Sequence, residues 1–155
     1  MDYIQSTLIK DEEVILSPKI HSIVYWNPVF CFIGLVLFFL FVGGGSELWG
    51  LVWLSVVVTF FACLIWYIYN MFYYKNVEMA VTNKRVVAKT GIITVHTEEL
   101  QWNKIESIEI RQGVWGRMFN FGDVHFTGTG TSFVHFTYVC DPWSVKAKAS
   151  EILSA

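Results

Sequence analysis

The sequence predicts a membrane-anchored α+β protein. A two-helix transmembrane hairpin precedes a small antiparallel β-barrel or sandwich, which is capped by a C-terminal helix. Three observations lead to this prediction. Two uncharged apolar stretches occupy residues 23–42 and 48–72. Short β-prone runs separated by turn signals follow from residue 73. The last segment begins with Asp141 as a candidate N-cap and Pro142 at the first helical position.

The composition places part of the chain in lipid. Apolar residues make up 54% of the 155 residues, charged residues only 15%, and the mean hydropathy is +0.47. A soluble domain has about 25% charged residues. The formal net charge of −2 gives no overall attraction to a polyanion, so we expect no nucleic-acid partner.

Each apolar stretch is long enough to cross a bilayer. Twenty helical residues span about 30 Å, which is the thickness of the hydrocarbon core. The intervening GGGSE, residues 43–47, is short enough to be a tight turn. A cleaved signal peptide is the competing interpretation of the first stretch. It is disfavoured because about twenty mostly acidic or neutral residues come first and the apolar region is too long.

The distribution of lysine and arginine predicts that both termini are cytoplasmic. The turn at residues 43–47 has no basic residue, whereas both outer flanks do. These flanking residues are Lys10, Lys19, Lys75, Lys84, Arg85 and Lys89. The predicted organisation is an N-terminal cytoplasmic segment (1–22), a transmembrane helical hairpin (23–72) and a C-terminal domain (73–155).

The C-terminal part has the pattern of an all-β unit closed by one helix. Strands are predicted at residues 77–82, 85–90, 92–100, 104–112, 123–128 and 132–139, with a bulge near Glu106-Ser107. The N-terminal stretch from Glu13 to Ser17 could add a further strand. Apolar residues of the final helix share one face, at Val145, Ala149, Ile152 and Leu153.

The last two predicted strands form a hairpin whose register can be deduced. Val124, Phe126, Val134 and Phe136 must share the buried face, because strand side chains alternate. The residue numbers of two cross-strand partners then add up to an even number near 260. This register leaves a loop of about three residues around Gly130. The preceding linker is predicted to be anchored by apolar side chains, namely Val114, Trp115, Met118, Phe119 and Phe121.

The same register places His125 opposite His135. Two imidazoles across a strand pair could hold a metal ion or respond to pH. The sequence shows no third or fourth ligand nearby, so a polar outer face of the hairpin is the favoured interpretation. We therefore expect no metal ion and no other cofactor.

No motif in the sequence predicts catalysis. The stretch GTGTS lacks the lysine and the following helix of a phosphate-binding loop. No nucleophile stands beside a base in a recognisable turn. Glu98 and Glu99 are adjacent on a strand and point to opposite faces, so they cannot share a proton. The prediction is a protein that is not an enzyme.

Four stretches resemble the bacterial pleckstrin-homology (PH) domain family, in its membrane-anchored type with an N-terminal transmembrane hairpin. They are DEEVILSPKIH (11–21), TNKRVVAKTGII (82–93), LQWNKIESIEIRQGVWGRMFNFGDVHFTGTG (100–130) and DPW (141–143). The resemblance implies a PH-like domain at residues 73–155 and a location in the bacterial cytoplasmic (inner) membrane. It implies no reaction.

These observations predict a non-catalytic, membrane-anchored PH-like module for protein interaction or assembly at the cytoplasmic face. Its expected partners are the lipid bilayer and either another protein or a second copy of the chain. The alternative is a module that binds anionic lipid headgroups through Lys84, Arg85 and Lys89. Three such charges at about 1 kcal/mol each give only weak attraction to a membrane surface.

Overall fold

A computed structural model describes residues 2–43 and 49–154 of the chain. The chain divides into two compact units. The helical unit comprises Ser22–Lys75. The other unit, called here the β domain, combines the residues up to His21 with those from Asn76 onwards.

The helical unit contains two apolar segments. A 3₁₀ helix at Ser22–Tyr25 precedes α2 (Asn27–Gly43), and α3 follows at Trp49–Lys75. Two stretches are long and apolar enough to cross a membrane, Ser22–Phe41 and Gly50–Lys75. Apart from Gly43, the predicted turn at residues 43–47 lies outside the described residues.

Three residues that interrupt the apolar sequence of the helical unit, Pro28, Ser55 and Asn70, have local structural roles. Pro28 lies in the first turn of α2, where a missing backbone N–H breaks no helical hydrogen bond. The Ser55 hydroxyl donates to the Val52 carbonyl at 2.7 Å, and the Asn70 amide donates to the Trp66 carbonyl at 3.0 Å. The hydrogen-bonding groups of Ser55 and Asn70 are thus satisfied by the backbone of their own helix.

The β domain consists of two antiparallel sheets with helices at their edges. The strands are β1 (Val14–Leu16), β2 (Glu78–Thr82), β3 (Arg85–Thr90), β4 (His96–Gln101), β5 (Ile105–Arg111), β6 (Phe121–Gly128) and β7 (Phe133–Cys140). The helices are α1 (Asp2–Ser6), α4 (Val114–Met118) and α5 (Pro142–Ser154), with a 3₁₀ turn at Trp102–Lys104. One sheet has the order β1-β2-β3-β4 and the other β5-β6-β7.

One hydrophobic core lies between the sheets and under α5. Val124, Phe126, Val134 and Phe136 are completely buried, which confirms the predicted inner face of the hairpin. Strands β2, β3 and β4 contribute further side chains to the same core, namely Met79, Val81, Val86, Ala88 and Leu100. Helix α5 contributes Val145 and Ala149. Leu153, which was predicted on the same face, lies in the last turn of α5 and remains 45% exposed.

The β6–β7 hairpin has the predicted register. Val124 pairs with Phe136, His125 with His135 and Phe126 with Val134. The Gly128 amide donates to the Ser132 carbonyl at 2.8 Å, which closes a three-residue loop around Gly130. Gly130 has φ 79°, a left-handed conformation that glycine adopts without a steric penalty. The predicted bulge also occurs, between Ile105 and Ser107.

The N-terminal segment belongs to the β domain, although the sequence suggested a separate segment at residues 1–22. Strand β1 pairs with β2, with Val14 opposite Thr82, and lies within the stretch where a further strand was proposed. Ile20 then bridges to Val139 of β7. Because β1 has only three residues and little alternation, its pairing could not be deduced from its sequence pattern. The chain on either side of the helical unit therefore builds a single domain.

The predicted strand at residues 92–100 begins later than expected, at His96. Gly91 has φ 103°, and a Cβ at this position would lie 2.0 Å from the Thr94 carbonyl oxygen. A turn this tight takes residues 92–95 out of the ladder, despite their high β propensity.

Candidate functional site

The β5–β6 connection carries an exposed apolar surface, which we call the α4 surface. Trp115 is 65% exposed and stacks on Phe119, with ring centroids 6.1 Å apart. Val114 is 82% exposed. Single exposed apolar side chains are normal in proteins, but a contiguous group of large ones marks an interaction site. The α4 surface comprises Val114, Trp115, Met118, Phe119 and Trp143.

The backbone, rather than the apolar side chains, holds α4 in place. Gly116 is buried against β6, and a Cβ there would lie 2.6 Å from the Phe121 carbonyl oxygen. The Gln112 side chain donates to the same carbonyl at 3.0 Å and accepts a hydrogen bond from the Trp143 indole, also at 3.0 Å. These contacts fix α4 beside the first turn of α5.

The prediction that apolar side chains anchor this linker is therefore wrong for Val114, Trp115, Met118 and Phe119. All four side chains are between 47% and 82% exposed, and Gly116 supplies the close contact with β6 instead. Phe121 differs from them, since it is half-buried and stacks on His21, with centroids 5.1 Å apart.

The α4 surface has the chemistry of a protein interface core. Tryptophan and arginine are enriched among the residues that dominate binding energy at interfaces. Phenylalanine and methionine are likewise enriched there relative to the rest of a protein surface. Arg117 lies within α4 and is exposed, and no acidic side chain pairs with it in the described part of the chain.

Arg85, one of the three predicted lipid contacts, instead holds the N-terminal segment. Its guanidinium forms a bidentate pair with Glu12, at 3.0 Å and 3.2 Å, and donates to the Thr7 carbonyl at 2.8 Å. It also pairs with Glu99. The Glu12 side chain is completely buried, so this ion pair is removed from solvent. We refer to Arg85, Glu12 and Thr82 as the clasp.

Thr82 completes the clasp at the start of the β2–β3 turn. Its hydroxyl donates to Glu12 at 2.8 Å and accepts a hydrogen bond from the Arg85 amide at 3.0 Å. The Thr82 carbonyl accepts the Trp102 indole N–H at 2.9 Å. The described part of the chain has no buried side-chain nitrogen or oxygen without a partner, as a stable buried polar network requires.

The other two predicted lipid contacts also contact the N-terminal segment. They are Lys84 and Lys89. Lys84 donates to the Lys10 carbonyl at 2.5 Å. The Lys89 ammonium lies 3.8 Å from Glu78 and 4.8 Å from the centre of the Tyr3 ring. The three cations thus do not converge on one open pocket, and their contact with lipid stays a prediction.

His125 and His135 lie opposite each other, as the register predicted. Their ring centroids are 4.3 Å apart, and Phe133 stacks on His135 at 4.8 Å. Burial, followed by the nearby His135 and Arg111, lowers the pKa of His125 below its ordinary value. Across residues 2–43 and 49–154, no group of three or more possible metal-ligating side chains is found. A metal-binding role for the pair stays a hypothesis.

Glu98 and Glu99 point in opposite directions, as predicted, and each has a structural contact. Glu98 accepts the backbone N–H of His135 at 3.0 Å, which links β4 to β7. Glu99 pairs with Arg85. Each carboxylate therefore links β4 to another strand of the domain, Glu98 to β7 and Glu99 to β3.

The two antiparallel sheets and the helix α5 define the class of fold, a small antiparallel β-sandwich closed by a C-terminal helix. The family model described as "Bacterial PH domain" matches residues 29–149, which is most of the chain. The chain therefore belongs to the bacterial PH domain family, and PH domains are generally non-catalytic modules for lipid or protein interaction. Comparisons with curated proteins and with solved structures gave no match.

The clasp predicts a loss of stability in acid. Burial raises the pKa of Glu12, but hydrogen bonds from the Ile9 amide, Arg85 and Thr82 outweigh it, and the pKa lies below 4.5. The unfolded chain then binds more protons, so this contribution is present above about pH 4.5 and is lost as the pH falls through the lower folded pKa. Across this pH range, the melting temperature of the full chain in detergent should fall more steeply with decreasing pH than the melting temperature of the Glu12→Gln variant. Identical slopes would contradict the assignment.

Proposed function

We propose that this protein is a non-catalytic module for protein interaction or assembly, anchored at the cytoplasmic face of the bacterial inner membrane. In this proposal the two apolar helices cross the bilayer and both termini are cytoplasmic. The α4 surface binds another protein or a second copy of the chain. The observation that carries the proposal is the exposure of this cluster of tryptophan, phenylalanine, methionine and valine side chains.

The topology of the β domain supports two membrane crossings. Strand β1 precedes both apolar helices and pairs with β2, which follows them. Two strands can pair only if they lie on the same side of a membrane, so the chain between them must cross an even number of times. The absence of lysine and arginine between the two apolar stretches supports placing the domain in the cytoplasm.

Binding of anionic headgroups through Lys84, Arg85 and Lys89 is the alternative function. The contacts of Arg85 with Glu12 and of Lys89 with Glu78 offset two of these charges. Neutralised cations attract phosphates weakly, whereas nothing in the described residues covers the α4 surface. These contacts favour protein interaction over headgroup recognition.

Replacing Trp115 and Phe119 by alanine is expected to abolish assembly. Each buried aromatic anchor at an interface contributes about 2 kcal/mol, or roughly 30-fold in affinity. Crosslinking of the full chain in native membranes should give a discrete oligomer or a fixed partner complex, and the double variant should lose it. Trp115 is 65% exposed and Phe119 is half-exposed, so the thermal midpoint in detergent should stay close to that of the wild type.

Phe133→Ala is the matched control, because Phe133 is another aromatic residue that is half-exposed on the β domain. This variant should retain the crosslinked product. Two outcomes would contradict the proposal: only monomer at every protein concentration, or equal crosslinking by the wild type and the double variant.

A further inference from the structure

The β3–β4 loop, residues 91–95, presents an aliphatic tip to its surroundings. Ile93 is 96% exposed, Val95 48% and Ile92 39%. The loop sequence GIITV contains no charged side chain. Exposing a nearly complete isoleucine side chain to water is unfavourable relative to burying it in an apolar environment.

The conformation of the loop keeps these side chains outside. The positive φ of Gly91 and its close approach to the Thr94 carbonyl define a tight turn. Both flanking residues, Thr90 and His96, still pair with each other in the ladder. The turn is thus anchored at its base by this pair of residues.

The loop leaves the β domain at the edge where the chain connects to the apolar helices. Glu78, the first residue of β2, pairs with Lys89 of β3. Because the strands are antiparallel, the residues before Glu78 and those after Lys89 leave the sheet at the same edge. Helix α3 ends at Lys75, three residues before Glu78, and three residues of chain span at most about 11 Å.

The first connection begins at the same edge, before Lys19, Ile20 and His21 pair with the end of β7. Strand β1 is antiparallel to β2, so the residues after Leu16 run toward the start of β2. The Ser17 hydroxyl donates to the Met79 carbonyl at 3.2 Å, which confirms this direction.

We propose that the β3–β4 loop inserts Ile92, Ile93 and Val95 into the cytoplasmic interface of the bilayer. The proposal rests on the membrane anchoring described under Proposed function. Aliphatic side chains partition favourably into lipid. The short tether keeps the loop at a high effective concentration near the surface. Lys75 is exposed at the end of α3 and is placed to meet anionic headgroups.

A bilayer fits this loop better than a protein partner does. The loop lacks the tryptophan, tyrosine and arginine that dominate protein interfaces, which the α4 surface supplies instead. The two exposed apolar regions therefore have different expected occupants, with lipid at the β3–β4 loop and protein at the α4 surface.

Spin labelling of the full chain in nanodiscs tests the proposal. Label positions are introduced one at a time as Ile93→Cys, Val58→Cys and Ser150→Cys, after the native Cys31, Cys63 and Cys140 are replaced by alanine. Collision rates with oxygen and with a water-soluble nickel chelate report whether a label lies in lipid or in water. The label at position 93 should favour oxygen, as the label at position 58 in α3 does. The label at exposed Ser150 on α5 should favour the nickel chelate.

The outcomes separate this inference from the anchoring on which it rests. If position 58 favours oxygen but position 93 favours nickel, the loop lies in water and the inference fails while the anchor stands. If position 93 is shielded from both reagents, a protein covers the loop and the inference fails. If position 58 also favours nickel, membrane anchoring itself fails.

Discussion

Arg85→Ala is expected to destabilise the β domain by about 3–5 kcal/mol, the usual cost of removing one partner from a buried ion pair. The substitution leaves the Glu12 carboxylate completely buried without its cation. It also removes the hydrogen bond to the Thr7 carbonyl, so the N-terminal segment loses two attachments at once. Urea unfolding of the full chain in non-ionic micelles, followed by near-ultraviolet circular dichroism, measures the change.

Two control variants identify the source of the effect. Arg85→Lys keeps the charge but loses the bidentate geometry, and should give an intermediate loss of stability. Glu99→Gln removes the more exposed partner and should change the free energy of unfolding by less than about 1 kcal/mol. If Arg85→Ala matches Glu99→Gln, the clasp does not hold the N-terminal segment.

Phe126→Ala is expected to cost about 3–5 kcal/mol, because it leaves a cavity at the centre of the core. The ring is completely buried and packs edge-to-face on Phe136, with centroids 5.2 Å apart. The same urea unfolding experiment measures the change, with Phe133→Ala as a control expected to lose clearly less stability, because its ring is half-exposed and leaves no cavity in the core. Equal losses for the two variants would show that the β6–β7 register is not the one described.

The sequence predicted the β6–β7 hairpin and α5 closely, because their signals are local. The even-numbered apolar residues from Val124 to Phe136 determine both the buried face and the register. Gly130 indicates the loop, and Pro142 marks the first residue of α5. The same kind of signal predicted β3, whose ends match residues 85–90.

The sequence did not predict features that depend on distant contacts. The pairing of Arg85 with Glu12 joins residues far apart in the chain, and a basic residue near a predicted membrane span has the same sequence pattern as a lipid contact. The exposure of Trp115 could not be deduced either, because the contact of this segment with β6 is made by Gly116, and an apolar run reads the same whether it is buried or exposed. The apolar residues of the α4 segment, which a sequence pattern would assign to the core, are exposed instead.

The domain's assembly from both sides of the helical unit has one consequence for the proposed topology. The N-terminal segment and α5 must lie in the same compartment, since β1 completes the sheet that faces the core under α5. A chain with one membrane crossing, or with its domain outside the cytoplasm, is incompatible with the proposal.

Thiol labelling with a membrane-impermeant maleimide tests this topology most directly. Gln5→Cys and Ser150→Cys are placed separately in the full chain after its three native cysteines are replaced by alanine, and the protein is expressed in bacterial spheroplasts. If both termini are cytoplasmic, both positions should be protected in intact spheroplasts and both should react after detergent permeabilisation. Reaction of either position without permeabilisation, or recovery of the full chain in the soluble fraction without detergent, would contradict it.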